Sequence, residues 1–145
     1  MIRRYGESVM SGQKYRRRPG VYAVLLRGDS ILTTFQMAPV PEFQLPGGGI
    51  DPGEQPIAAL HREVFEETGW RMSITRRIGA FRRFTYMPEY DLWAEKICTV
   101  YLGRPVLRLG PPSESGHSAV WLPIREAVQR LGNEGDRAML AKLIA

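Results

Sequence analysis

Cysteine is almost absent. Cys98 is the single thiol in 145 residues, which excludes a disulfide framework, and its apolar surroundings point to a buried thiol rather than a nucleophile. Also missing is any run of about 18 apolar residues, the length that a membrane-crossing helix needs. The opening Met1-Ile2-Arg3-Arg4-Tyr5 has no apolar stretch of the secretory kind. A soluble, cytoplasmic protein with no membrane partner is expected. The chain has no P-loop pattern, no serine-centred nucleophile elbow and no cysteine/histidine cluster, which removes three common bases for catalysis. It also has no internal repeat and no long linker. Its length is that of one domain able to bury a core, so residues 1–145 are read as a single domain.

Acidic residues are the minority, 15 against 20 Lys and Arg for a formal net charge of +5, but they are unevenly spread. Residues 51–67 hold five acidic and one basic side chain, a net −4, which leaves +9 for the rest. The protein reads as a basic body around an acidic pocket, a layout that steers polyphosphates inward. Residues 1–18 form a polar, basic arm ending in Arg16-Arg17-Arg18. The arm is either partly flexible or begins with an edge strand.

The acidic stretch is organised by helix geometry. At about 100° per residue, Glu63, Glu66 and Glu67 fall within one arc of roughly 100°. Ile57, His61, Val64 and Thr68 lie on the other side of the wheel, flanked by Leu60 and Phe65, which predicts one face to bury and one charged face. His61 is read as a packed or partly exposed histidine. Carboxylates at this spacing repel one another, and Arg62 at the arc's edge is the single nearby cation. A divalent cation would relieve that repulsion, and carboxylate oxygens are hard ligands suited to Mg²⁺ or Mn²⁺. Pro56 suits the first helical turn, Asp51 is a candidate cap, and Gly69 fits the position just past the helix end. The preceding Leu45-Pro46-Gly47-Gly48-Gly49 reads as a loop whose backbone can approach an ion or phosphate closely.

Residues Gly48 to Trp70 resemble the signature of the Nudix hydrolase family, G-x5-E-x7-R-E-U-x-E-E-x-G-U with U aliphatic. Gly48, Glu54, Arg62, Glu63, Val64, Glu66, Glu67 and Gly69 fall in register, and Trp70 is the one departure. The resemblance implies an α/β fold, an α/β/α sandwich with a mixed sheet and a loop-helix-loop signature. It implies hydrolysis of a pyrophosphate bond in a nucleoside diphosphate derivative with Mg²⁺ or Mn²⁺. It assigns metal coordination to Glu63, Glu66, Glu67 and the Gly48 carbonyl, with Glu54 and Arg62 supporting. Members of the family place the general base either on the helix, here Glu63 or Glu66, or on a later loop, here Glu114. Glu89 and Glu95 are weaker options.

Around the signature, residues 20–27 and 30–36 read as a hairpin turning at Gly28-Asp29, and 43–45 as a short strand. Residues 71–75, 77–87 and 96–104 are further strands, the last apolar on both faces and therefore central. A Pro/Gly-rich loop covers 109–116, a short strand 119–122, and helices 123–131 and 134–144.

For the substrate, Arg82, Arg83 and Tyr86 on one predicted strand are binding candidates, with Phe81, Phe84, Tyr90 and Trp93 available to stack on a base. Tyr86 lies at a spacing from the signature similar to that of a tyrosine in family members that act on dinucleoside polyphosphates, which favours that substrate. The alternatives are an RNA 5′-end pyrophosphohydrolase or RNA-binding protein, and a non-hydrolytic nucleotide sensor. A nucleotide or dinucleotide polyphosphate is thus the leading partner, with RNA and a second copy of the chain in a homodimer as the others.

Overall fold

The computed structural model describes residues 2–145. Residue 1, the first of the basic arm, lies outside the described residues. The strands are β1 (Arg3–Gly6), β2 (Arg16–Arg27), β3 (Ser30–Gln36), β4 (Glu42–Gln44), β5 (Gly47–Gly49), β6 (Trp70–Met87), β7 (Leu92–Arg108) and β8 (His117–Pro123). The helices are α1 (Pro56–Thr68), α2 (Ile124–Arg130) and α3 (Glu134–Ile144). The strands make one mixed sheet in the order β1-β6-β7-β2-β3-β4, with β5 added to β2 and β8 to β3. β1 runs parallel to β6 and β2 parallel to β7, and the other pairs are antiparallel.

Side chains alternate across the pleat, so each face of the sheet acquires its own core. Val21, Ala23, Leu25 and Leu32 meet Ala59, Leu60 and Val64 of α1 on one face. Val24, Ile31, Phe81 and Val100 meet Ala127 of α2, Leu131 just past its end and Leu140 of α3 on the other. Full burial of a leucine or valine contributes about 1.5–3 kcal/mol, so Leu60 and Val64, both wholly buried, anchor α1 and with it the signature residues. The result is an α/β/α sandwich with a mixed sheet.

Several expectations change in detail. Residues 71–75 and 77–87 belong to one strand, β6, whose register against β7 shifts at three places. Such bulges kink a strand without ending it. The basic arm is tied into the sheet at both ends, with Arg3–Gly6 parallel to β6 and Arg16–Arg18 opening β2 against Ala94–Lys96. The glycine stretch is β5, hydrogen-bonded in register with Gly20–Tyr22 of β2. The N-cap of α1 is Gln55, with no side-chain cap bond, instead of Asp51. Gly69 closes α1 with φ 77°, its N–H donating to Phe65 O, a left-handed conformation suited to glycine.

No helix among the described residues is long and apolar enough to cross a membrane.

Candidate active site

The site forms where β5 brings its glycine backbone against the inner side of α1. Gly47 has φ 152°, and a Cβ there would meet the Tyr22 Cα at 2.7 Å, so glycine is required. A Cβ on Gly48 would lie 2.6 Å from the Glu63 carboxyl carbon. The Gly48 backbone therefore packs directly on that carboxylate. Gly47 N–H donates to Glu67 Oε1 at 3.0 Å.

Glu67 is only 6% exposed, and the buried stripe of α1 comprises Ala59, Leu60, Val64, Glu67 and Thr68. The helical wheel groups Ile57 and His61 with Val64 and Thr68 on the face to bury, opposite the charged Glu63, Glu66 and Glu67, and Val64 and Thr68 are buried. Ile57 is instead 41% exposed and His61 is exposed. The helix is rotated so that Glu63 and Glu67 face the sheet. Burial raises the Glu67 carboxyl well above its ordinary range, opposed by the Gly47 amide and reinforced by Glu63, Glu114 and Glu66. Burial likewise brings Glu63 up to about 7, against the pull of Arg62.

Arg62 organises the outer carboxylates. Its Nε and Nη2 hold the two Glu54 oxygens at 2.7 and 2.9 Å, the planar fork that suits a carboxylate. Its Nη1 donates to Glu63 at 3.0 Å and to Glu66 at 2.8 Å, and Asp51 lies 3.6 Å away. Glu54 in turn accepts the Asp51 N–H at 3.0 Å, pinning the turn before the helix. The Arg62 bonds hold the Glu54 carboxyl down to about 2.

Glu114 comes to the same place from the loop before β8. The Ser113 and Glu114 amides both donate to Glu66 O at 2.9 Å, which docks the loop on the end of α1. One oxygen each from Glu63, Glu66 and Glu114 lies within 4.8 Å of the others, and the same holds for ligand atoms of Glu67, Glu114 and His117. An oxygen-rich set at this spacing fits a hard divalent cation. Glu63, Glu66, Glu67 and Glu114 are the residues that could hold one.

Glu63, Glu67 and Glu114 line a cleft of about 270 Å³ together with Arg18, Arg83 and Lys96, cations that the β2–β7 and β6–β7 registers set side by side. Tyr22, Tyr90, Asn133 and Asp136 also line it. Of the substrate candidates, Arg83 faces the cleft, whereas Arg82 and Tyr86 are not among its lining residues. Alternation along β6 explains the split. Arg82 lies 3.5 Å from Glu95, and the Tyr86 hydroxyl donates to Asp91 at 2.5 Å. Glu89 lines the cleft and Glu95 does not.

Sequence reasoning reads Arg18 only as the end of the basic arm and passes over Lys96, Asp136 and His117; distant strands and α3 bring the four to one cleft. A histidine three residues after Glu114 was the one local signal. Trp70, the departure from the signature, packs edge-on against Trp121 at 5.8 Å with Arg27 over both rings. It fills space behind α1, away from the carboxylates.

Comparison with known proteins gives a consistent picture. The chain is 46% identical over 89 residues to an RNA pyrophosphohydrolase of Cereibacter sphaeroides, covering 60% of this chain and 53% of that protein. It is 31% identical over 108 residues to an 8-oxo-(d)GTP phosphatase of Mycolicibacterium smegmatis, covering 71% of this chain and 30% of that one. The chain spans about half the length of the first curated relatives it matches. Among solved structures, a NUDIX hydrolase from Nitrosomonas europaea superposes with a TM-score of 0.74 at 20% identity, covering 88% of each chain. A MutT protein from Methanosarcina mazei Go1 superposes at 0.68 with 18% identity, over 90% of this chain and 95% of that one. Identities this low show the shared fold alone. The NUDIX domain model, however, matches residues 16–143, and with nearly the whole chain inside that match the protein belongs to the NUDIX family.

Proposed function

We propose that the protein is a divalent-metal-dependent pyrophosphohydrolase that cleaves a phosphoanhydride of a nucleoside polyphosphate. The observation that carries this reading is the cleft that Glu63, Glu67 and Glu114 share with Arg18, Arg83 and Lys96. A polyphosphate needs both sets of groups. Cations on the basic side receive its oxygens directly, while the carboxylates can take it only through a metal ion. Mg²⁺ or Mn²⁺ held by Glu63, Glu66 and Glu67 would neutralise phosphate charge and acidify bound water. The Gly48 backbone backs Glu63, and Arg62 with Glu54 fixes the carboxylates in place.

Glu114 is the general base this arrangement favours, since it stands on a docked loop within reach of both carboxylate groupings. Water forms the new P–O bond, Glu114 takes its proton, and the bridging P–O bond breaks to release a nucleoside monophosphate and a phosphorylated remainder. Glu63 and Glu66 are the alternatives on the helix.

The case for a dinucleoside polyphosphate rested on Tyr86, whose hydroxyl is bonded to Asp91 outside the cleft lining. A nucleoside triphosphate is the better choice, in keeping with the name of the 8-oxo-(d)GTP phosphatase relative. An RNA 5′ end is a second reading, because exposed Arg16 and Arg17 continue outward from Arg18 at the cleft and one relative is named for that activity. Retention of every signature carboxylate weighs against a sensor that does not hydrolyse.

The test is a panel of dGTP, 8-oxo-dGTP, a dinucleoside tetraphosphate and a 5′-triphosphate RNA with Mg²⁺ or Mn²⁺, with products identified. Glu67→Gln should abolish turnover while the fold persists. Arg16→Ala with Arg17→Ala should impair only the RNA arm, and is cleaner than deleting residues 1–18, which would remove β1. No product from any member with either metal would end the hydrolase reading.

A further inference from the structure

His117 is absorbed by neither the signature nor the cleavage step, yet it is built into the site. It opens β8 opposite Gln36, and its backbone N–H donates to Glu114 O at 3.4 Å, so one tight turn places Glu114 and His117 together. Its side chain is 12% exposed. Nδ1 is 2.9 Å from Oγ1 of Thr34, a wholly buried residue on β3, and this bond fixes the ring. On the site side, Nδ1 is 3.8 Å from Glu67 Oε2, too far for a hydrogen bond. Glu67 Oε1 takes the Gly47 amide, which leaves Oε2, on a side chain more than nine-tenths buried, free to meet a cation.

We infer that His117 is a metal ligand, sharing a second cation position with Glu67 and Glu114, and that this position prefers a first-row transition ion to Mg²⁺. The inference rests on the reading of the site as a metal centre, and adds a distinction between two donor sets. Glu63, Glu66 and Glu114 offer only carboxylate oxygen, the choice of Mg²⁺. Glu67, Glu114 and His117 offer two carboxylates and an imidazole, a mixed set that suits Mn²⁺, Co²⁺ or Zn²⁺. A ligating histidine is usually oriented by a hydrogen bond at its other ring nitrogen. In His117 that nitrogen is Nδ1, held by Thr34 at 2.9 Å, so Nε2 is the atom that would meet the metal. Both positions border Glu114, which would bind the ion through one carboxylate oxygen and keep the other for the attacking water.

The chain has only two histidines, His117 and the exposed His61, so ring-nitrogen NMR of the ¹⁵N-histidine-labelled full chain reads two rings, one of them a built-in control. Zn²⁺ should move a His117 ring nitrogen to the metal-bound range and leave His61 in place, and Mg²⁺ should move neither. Calorimetry should show His117→Gln weakening Zn²⁺ binding by about tenfold or more and Mg²⁺ binding by less than about twofold. The wild-type NMR arm stands even if that variant does not fold. The inference is overturned if Zn²⁺ shifts neither ring or both alike, or if the variant loses Mg²⁺ and Zn²⁺ in equal measure. Should Mg²⁺ bind without any response of His117 to Zn²⁺, only this inference falls. Should no ion bind at all, the metal-centre reading falls with it.

Discussion

Replacing Arg62 by alanine isolates the network that holds the carboxylates without touching a candidate ligand. The guanidinium donates four bonds to Glu54, Glu63 and Glu66. Hydrogen bonds to charged groups contribute about 1.5–3 kcal/mol when buried, and exposed ion pairs about 0–1 kcal/mol. The Arg62 side chain is 34% exposed, so solvent screening places the network near the lower range. The expected loss is about 2 kcal/mol, including the repulsion left among the carboxylates. For a chain of this size that lowers Tm by about 6 °C. Urea denaturation in the presence of a chelator reads this directly, and divalent cation should reduce the difference because it supplies the missing positive charge. Arg62→Lys keeps the charge and loses the fork, and should recover less than half. The Glu54 carboxyl is held down to about 2 from an ordinary 4.5. Its contribution is therefore complete above about 4.5 and lost as pH falls toward 2, so wild type and Arg62→Ala should converge in acid. A loss under about 0.5 kcal/mol, full recovery by lysine, or divergence in acid would refute the argument.

Asp136 carries the opposite sign: burial raises its carboxyl to about 7 from 3.8, against the Leu45 backbone bond, Arg83 and Lys96. Its protonated form stabilises the fold below about 4, and that contribution fades as pH rises through 7. Asp136→Asn should accordingly flatten the pH dependence and exceed wild type at pH 8 by at most about 4 kcal/mol in denaturant titration. Gly48→Ala drives a methyl into the Glu63 carboxylate, and should cut turnover at least about tenfold while lowering stability by only about 1 kcal/mol, as parallel rate and melting measurements would show. Trp70→Leu restores an aliphatic residue but removes the Trp121 and Arg27 contacts, and should cost about 1–2 kcal/mol with activity retained, again separable by assay and melt.

What could be read in advance was whatever depends on local spacing. The interval from Gly48 to Gly69, the proline at the start of α1 and the turn at Gly28-Asp29 each have a short-range cause, and α3 spans Glu134–Ile144 as its pattern indicates. The rotation of α1 was not legible, because a carboxylate normally marks the wet face and here Glu67 is turned inward to accept an amide from Gly47. The glycine stretch became a strand because β2 offers it a partner, which no feature of glycine itself announces. Arg82 and Arg83 are adjacent in sequence and chemically alike; only the pleat decides that Arg83 enters the cleft. His117 and Asp136 lie two and three strands beyond the signature, and only the spacing of His117 from Glu114 hints at its place.

Burying Glu67 has a physical consequence for the whole site. A carboxylate with so little exposure accepts only one amide, and three other acidic groups push against it, so burial works against its charged form. A structural residue would be expected to have a full set of partners. Glu67 has half a set, on a rigid backbone support, and lines a cleft that also carries Arg18, Arg83 and Lys96. The deficit is local, since Arg62 satisfies the outer carboxylates, and it is placed where a cation would be shared between chain and substrate. Stability is thus given up at a carboxylate that the fold holds in position beside the cleft, which is the arrangement a preorganised metal centre would use.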